Sequence, residues 1–176
     1  MIVLIGFMGA GKSTVGRELA ARLGRSFIDT DEVIELTAGL SIADIFQAGG
    51  EDGFRELEAR VVREQLTGPP AVLALGGGAL TTEPVREALA GHDVVLLEIS
   101  LADALGRIGD DAGRPMLNRP DLAELFAARA VHYEQAATVR VPVAGRSTTE
   151  VVEAVVSGLE AVGAPRLDRG SPDAGE

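Results

Sequence analysis

Two rhythms of hydrophobic and polar positions alternate along this chain: short unbroken apolar runs, and longer segments with apolar residues at helical spacing. The first run is Ile2-Val3-Leu4-Ile5, followed from Ser13 to Gly24 by Val15, Leu19 and Leu23 at helical intervals. Ser26-Phe27-Ile28 is a second short strand. Ser41-Ile42-Ala43-Asp44 has the form of a capping box and opens a helix predicted through Ala48, which Gly49-Gly50 ends. A longer helix is predicted from Glu51 to about Leu66, striped by Phe54, Leu57, Val61 and Leu66, with Arg55, Glu58 and Arg63 off the stripe. The runs 71–75 and 94–97 are continuously apolar, as strands buried on both faces of a parallel sheet are. Between them Thr82 and Pro84 start a further helix, the proline standing in the first turn where its missing N–H is not needed. The remainder reads as helices over 101–108 and 121–138, a strand over 139–143, and a closing helix from Ser147 to about Val162 striped by Val151, Val152, Val155 and Leu159.

Strands alternating with helices in this way predict a three-layer α/β domain over residues 1–162, built on a five-stranded, mainly parallel sheet. Right-handed crossovers carry the loops that follow the strands to one edge. From Gly163 the composition turns to Gly, Pro, Asp and Arg, which predicts a disordered tail over 163–176. At 176 residues and 46% hydrophobic content, one domain with a substantial core is expected. The net charge of −11 argues against nucleic acid and anionic membranes as partners, since both recruit basic patches. The absence of cysteine removes disulfides, thiolate chemistry and Cys-based zinc sites. Met1 leads almost directly into the first strand, and no apolar run approaches membrane-spanning length, so a soluble, cytoplasmic monomer is expected.

The loop joining the first strand to the first helix carries the chemistry. Gly6-Phe7-Met8-Gly9-Ala10-Gly11-Lys12-Ser13-Thr14 fits G-x-x-x-x-G-K-[ST], and strand, glycine loop and helix is the context that pattern requires. Backbone N–H groups from Gly9 to Thr14 can turn onto phosphate oxygens while the helix N-terminus adds partial positive charge. Lys12 is then expected to reach the β- and γ-phosphates of ATP, and the Ser13 hydroxyl to ligate Mg²⁺. Lys12 is the chain's only lysine, placed where a compact ammonium suits a crowded phosphate site better than a planar guanidinium.

Three further features fall at strand ends. Asp29-Thr30-Asp31 puts two carboxylates where open α/β sheets hold ligands; Mg²⁺ and an attacking hydroxyl both need such partners, although Asp31 is also placed to cap a helix from Glu32. Gly76-Gly77-Gly78 either lets backbone amides approach a ligand or is a flexible turn. Residues 109–120 are polar, rich in glycine and proline, and carry Arg114 and Arg119, a pattern open to a mobile lid or a plain surface loop. Arg55 by itself reads as a solvated surface residue. Together these parts suit phosphoryl transfer to a small hydroxylated acceptor, and arginines outside the phosphate loop suit a carboxylate on that acceptor.

Over most of its length the chain resembles the shikimate kinase family. The matching segments are 6–16, Phe-Ile-Asp-Thr-Asp at 27–31, Ser-Ile-Ala-Asp-Ile-Phe at 41–46, Gly-Phe-Arg at 53–55, Leu-Gly-Gly-Gly-Ala at 75–79, Arg-Pro-Met-Leu at 114–117 and Arg-Ala-Val-His-Tyr at 129–133. The resemblance implies a P-loop kinase domain with a mobile lid, phosphorylating the 3-hydroxyl of shikimate with ATP and Mg²⁺. It makes Asp31 the residue that holds and deprotonates the hydroxyl, Asp29 the carboxylate behind Mg²⁺, and Arg55 with Arg129 the grip on the shikimate carboxylate. It further implies substrate contacts from Gly77 and Gly78, a lid contact from Arg114 to the transferring phosphate, and adenine packing by Arg107 and Arg146. Phe46, Phe54 and Glu58 match pocket walls, while His92 and His132 are read as structural. The segment between Arg114 and Arg129 is shorter than the family pattern. A gluconate kinase or nucleoside monophosphate kinase would share the phosphate loop without needing the arginine pair. A GTPase-like switch is excluded, because the Asn-Lys-x-Asp signature needs a second lysine.

Overall fold

A computed structural model describes residues 1–108 and 121–163. In the first strand, β1 (Ile2–Ile5), the side chains alternate faces as a pleated strand requires: Ile2 and Leu4 enter one apolar cluster, Val3 and Ile5 the other. All four are buried, because β1 is the central strand of a five-stranded sheet in the order β2 (Ser26–Asp29), β3 (Ala71–Ala74), β1, β4 (Asp93–Glu98), β5 (Val139–Pro142). Every pairing is parallel, with register Ile2 to Val72 on one side of β1 and Ile2 to Asp93 on the other.

The first face is covered by α1 (Lys12–Leu23) and α7 (Thr148–Ala161), whose stripes of Val15, Leu19, Leu23 and Val151, Val152, Val155, Leu159 meet Ile2 and Leu4. The second is covered by the later part of α3 (Ile42–Leu66), α4 (Glu83–Ala88) and α6 (Leu122–Ala136). A smaller apolar cluster of Ile34, Ile45, Phe54 and Val61 ties α2 (Thr30–Ala38) to α3 beside the sheet. The helix α5 (Leu101–Ile108) follows β4. The chain moves outward from β1 to β2, returns to β3, and only then crosses to β4 and β5, so its direction reverses at β1. In open parallel sheets the crevice beyond the strand carboxyl ends at such a reversal is where ligands bind.

Gly49-Gly50 ends the first helical stretch of α3 as expected: Gly50, at φ 68° and ψ −171°, is non-helical, and a second stretch runs on from this kink to Leu66. Two boundaries differ from the sequence expectation. The second helix begins at Thr30 and not at Glu32, because its N-cap is Asp29, whose side chain accepts the Asp31 N–H at 3.1 Å. Asp31 is therefore not the cap. The helix expected to reach Thr138 stops at Ala136, since the Thr138 N–H donates to the Val94 carbonyl at 2.8 Å and extends the ladder toward β5. The lid expected over 109–120, with Arg114 and Arg119, and the tail over 164–176 lie outside the described residues.

Candidate active site

The turn from β1 into α1 is built on Gly11, which caps the helix at φ 87° and ψ 21°, a conformation that a side chain would strain. No side chain caps this terminus, so its N–H groups and the positive end of the helix dipole face the loop. Lys12 Nζ folds back across the loop, donating to the carbonyls of Gly6 at 2.8 Å and Phe7 at 3.2 Å. Ser13 Oγ donates to Asp29 Oδ2 at 2.7 Å, while the other oxygen of Asp29 caps α2. One carboxylate thus fixes both the loop hydroxyl and the helix that carries Asp31. A hydroxyl and a carboxylate in contact at a helix N-terminus suit Mg²⁺, a hard cation that keeps several waters and completes its octahedron with substrate phosphates. No group of three His, Asp or Glu side chains able to hold a metal by itself occurs among the described residues.

Asp31 stands partly buried on the first turn of α2. Burial pushes its pKa up from the ordinary carboxylate value, the charge of Asp29 adds to this, and Lys12 opposes it. Glu58 on α3 is 1% exposed, and burial moves it in the same direction although Arg55 Nη1 donates to it at 2.6 Å. Both carboxylates line one cleft, where burial disfavours their charged forms.

Beyond β3 the chain becomes the floor of the site. A methyl group on Gly76 would lie 2.6 Å from Asp31 Oδ1, and one on Gly78 would lie 2.4 Å from Arg55 Nη2. Gly76 and Gly78 are crowded by Asp31 and Arg55, which occupy the space that side chains would need, whereas a methyl group on Gly77 would meet nothing closer than 3.7 Å. Arg55 is no solvated surface arginine either: its side chain is 13% exposed, paired with Glu58 and placed 5.2 Å from the centre of the Phe54 ring. Arg129, on α6, is buried 5.9 Å from the centre of the Phe7 ring, and burial lowers its pKa. The Nε atoms of Arg55 and Arg129 are buried without a hydrogen-bond partner among the described residues. Two guanidinium groups with unspent donors, 74 positions apart in sequence, favour an anion between them. Phe46 stacks on Phe54 at 4.5 Å and forms an apolar wall.

Lys12, Ser13, Asp29, Asp31, Arg55 and Arg129 all line one cavity of about 700 Å³, together with Gly9, Gly11, Thr14, Gly77, Gly78 and Arg107. Ala10 and Arg146 line a neighbouring cavity of about 200 Å³, which shares Gly9, Gly11, Thr14 and Arg107 with the first. Arg107 is held there by Nη2, which donates to the Val143 carbonyl at 2.7 Å. Of the residues expected at the site, only Arg114 lies outside the described residues. Sequence reasoning missed Thr30 as a site residue. Its buried hydroxyl donates to the Ala74 carbonyl at 3.2 Å and accepts the Gly76 N–H at 3.1 Å, tying the aspartate pair to the floor. Tyr133, which closes the matching segment 129–133 but was given no role, donates its hydroxyl to the Gly77 carbonyl. Thr30 lies between the two aspartates, which was a usable signal; no residue chemistry near Tyr133 assigned it a role.

A phosphate loop at the reversal point of a parallel sheet, opening into a cavity of small-molecule size, defines a P-loop kinase that acts on a small acceptor. The shikimate kinase family model matches residues 8–160. Shikimate kinase of Mycobacterium avium (strain 104) is 51% identical over 168 residues, covering 93% of this chain and 96% of the relative. That of Thermobifida fusca is 46% identical over 166 residues, with 93% and 96% covered. The structure of shikimate kinase from Acinetobacter baumannii in complex with shikimate superposes with a TM-score of 0.86 at 36% identity, covering 91% of this chain and 92% of that one. The chain belongs to the shikimate kinase family. A gluconokinase structure from Sinorhizobium meliloti, 22% identical with a TM-score of 0.59, shares the fold alone.

Proposed function

We propose that the protein transfers the γ-phosphoryl group of ATP to the 3-hydroxyl of shikimate, releasing ADP and shikimate 3-phosphate. The observation that carries this reading is the shared cavity: the phosphate loop, Asp31 and the two buried arginines surround one space of about 700 Å³. The loop amides from Gly9 to Thr14 bind the phosphates, and Lys12 leaves its carbonyl partners to meet the β- and γ-oxygens. Ser13, backed by Asp29, would hold Mg²⁺, which would offset the charge of the phosphates. Arg55 and Arg129 grip the acceptor's carboxylate, each contributing planar N–H donors that lysine could not match. Gly77 and Gly78 contact the acceptor through the backbone. Arg107 and Arg146 line the smaller cavity and pack the adenine, and Arg114, outside the described residues, is assigned to the transferring phosphate.

In the reaction the acceptor oxygen forms a bond to γ-phosphorus as the bond to the β–γ bridging oxygen breaks. Asp31 takes the hydroxyl proton, and its raised pKa makes it a better base than an ordinary aspartate. We further propose that the protein works as a monomer. The net charge of −11 opposes nucleic acid and anionic lipid as partners, and no helix among the described residues is long and apolar enough to cross a membrane. The reading places the enzyme in the cytoplasm. The test is ADP release measured with shikimate, quinate, gluconate and AMP as separate acceptors. The expected result is turnover with shikimate at a kcat/KM at least about 100-fold above the others, since a site built around buried polar groups rejects acceptors that leave them unpaired. Equal turnover of gluconate or AMP would refute it.

A further inference from the structure

Consecutive peptide planes form the glycine floor, and each is held by a different partner. The plane between Leu75 and Gly76 is fixed by Thr30, which accepts the Gly76 N–H at 3.1 Å. The plane between Gly76 and Gly77 is fixed at its carbonyl, which accepts the Ala79 N–H at 3.1 Å. The plane between Gly77 and Gly78 is held at its carbonyl by the Tyr133 hydroxyl. In a trans peptide the C=O and the following N–H point in opposite directions within one rigid plane, so anchoring the Gly77 carbonyl also sets the direction of the Gly78 N–H. Neither the Gly77 nor the Gly78 N–H donates to a protein acceptor among the described residues, and both glycines line the large cavity.

We propose that Tyr133 is a positioning residue of the acceptor subsite: by holding the Gly77 carbonyl it aims the Gly78 N–H at an oxygen of the acceptor. The proposal rests on shikimate being that acceptor. Tyr133 lies one helical turn after Arg129, so a single face of α6 supplies both a guanidinium to the cavity and the hydroxyl that sets its floor. The tyrosine is 5% exposed, and burial pushes its pKa up to about 12, so the phenol remains a donor across the working pH range. A glycine carries no side chain to restrain its own backbone, which is why the restraint has to come from outside the triplet.

The test is Tyr133→Phe in the full chain, which removes the hydroxyl and keeps the ring, assayed beside the unaltered protein by ADP release. The expected result is a 5- to 20-fold rise in KM for shikimate with KM for ATP within twofold, because only the acceptor subsite loses an aimed donor. A lowered thermal midpoint with both KM values unchanged would make Tyr133 an ordinary core residue and overturn the proposal, as would an equal rise in both. If Tyr133→Phe fails to fold, the Gly78 amide proton of the unaltered protein is followed by NMR as shikimate is added: a downfield shift is expected of an N–H that meets an acceptor oxygen, and an unmoved Gly78 resonance overturns the proposal. An unaltered protein inert toward shikimate would overturn both this proposal and the functional reading; an active one with an indifferent Tyr133→Phe overturns this proposal alone.

Discussion

Gly78→Ala adds one methyl group, and the structure says where it would go. It would lie 2.4 Å from Arg55 Nη2 and 2.8 Å from both Cζ and Nη1, whereas nonbonded carbon and nitrogen need about 3.5 Å. The backbone does not object, because Gly78 has φ −104° and ψ −3°, which alanine adopts without strain. The guanidinium, the far end of a flexible side chain, must therefore shift by about 1 Å from the position in which it donates to Glu58 at 2.6 Å. A hydrogen bond between charged groups contributes about 1.5–3 kcal/mol. If one such bond is lost from the acceptor grip, KM for shikimate rises about 10- to 150-fold. The assay is initial-rate ADP release with shikimate varied at saturating ATP, then the reverse. KM for ATP should stay within twofold, because the phosphate loop is untouched. Gly77→Ala is the control: a methyl group there meets nothing closer than 3.7 Å, so Arg55 stays in place and the effect is several-fold smaller. Equal damage from the two variants, or wild-type KM for shikimate in Gly78→Ala, would show that the Arg55 placement does not govern acceptor binding.

Asp31→Asn should lower kcat by about 10²–10⁴ with KM for ATP nearly unchanged, and a variant keeping most of its kcat would remove Asp31 from the role of base. The same variant should raise the thermal midpoint at pH 7. Asp31 has its folded pKa raised, so the native state holds more protons than the unfolded chain between the ordinary carboxylate value of 3.8 and the raised one, and the ionised aspartate costs stability above that window. The gain should shrink as pH falls toward 3.8; a gain independent of pH would contradict this origin. In kcat/KM against pH, the acidic limb should fall at a pH above the ordinary aspartate value, since the base must be ionised, and a limb at the ordinary value would exclude the burial effect. Arg129→Lys should raise KM for shikimate at least tenfold while sparing ATP, because lysine loses the planar set of donors; equal losses for both ligands would argue against a carboxylate grip.

The chain's own pattern determined the strand and helix sequence, the phosphate loop and the acidic pair, because these depend on short-range regularities: unbroken apolar runs, period-3.6 apolar spacing, and a motif whose parts are adjacent. Gly49-Gly50 was legible too, since Gly50 breaks the helix through its own backbone angles and needs no distant partner to do so. The triple glycine was ambiguous until Asp31 and Arg55 were seen to crowd Gly76 and Gly78. Arg55, Glu58, Arg129 and Tyr133 gain their meaning only in three dimensions, since α3 and α6 lie far apart in sequence and meet at the floor beyond β3. Burial is the physical reason: it takes water away from these charged groups, shifts their protons and leaves guanidinium donors unspent, and no residue's burial is written in its own neighbours along the chain.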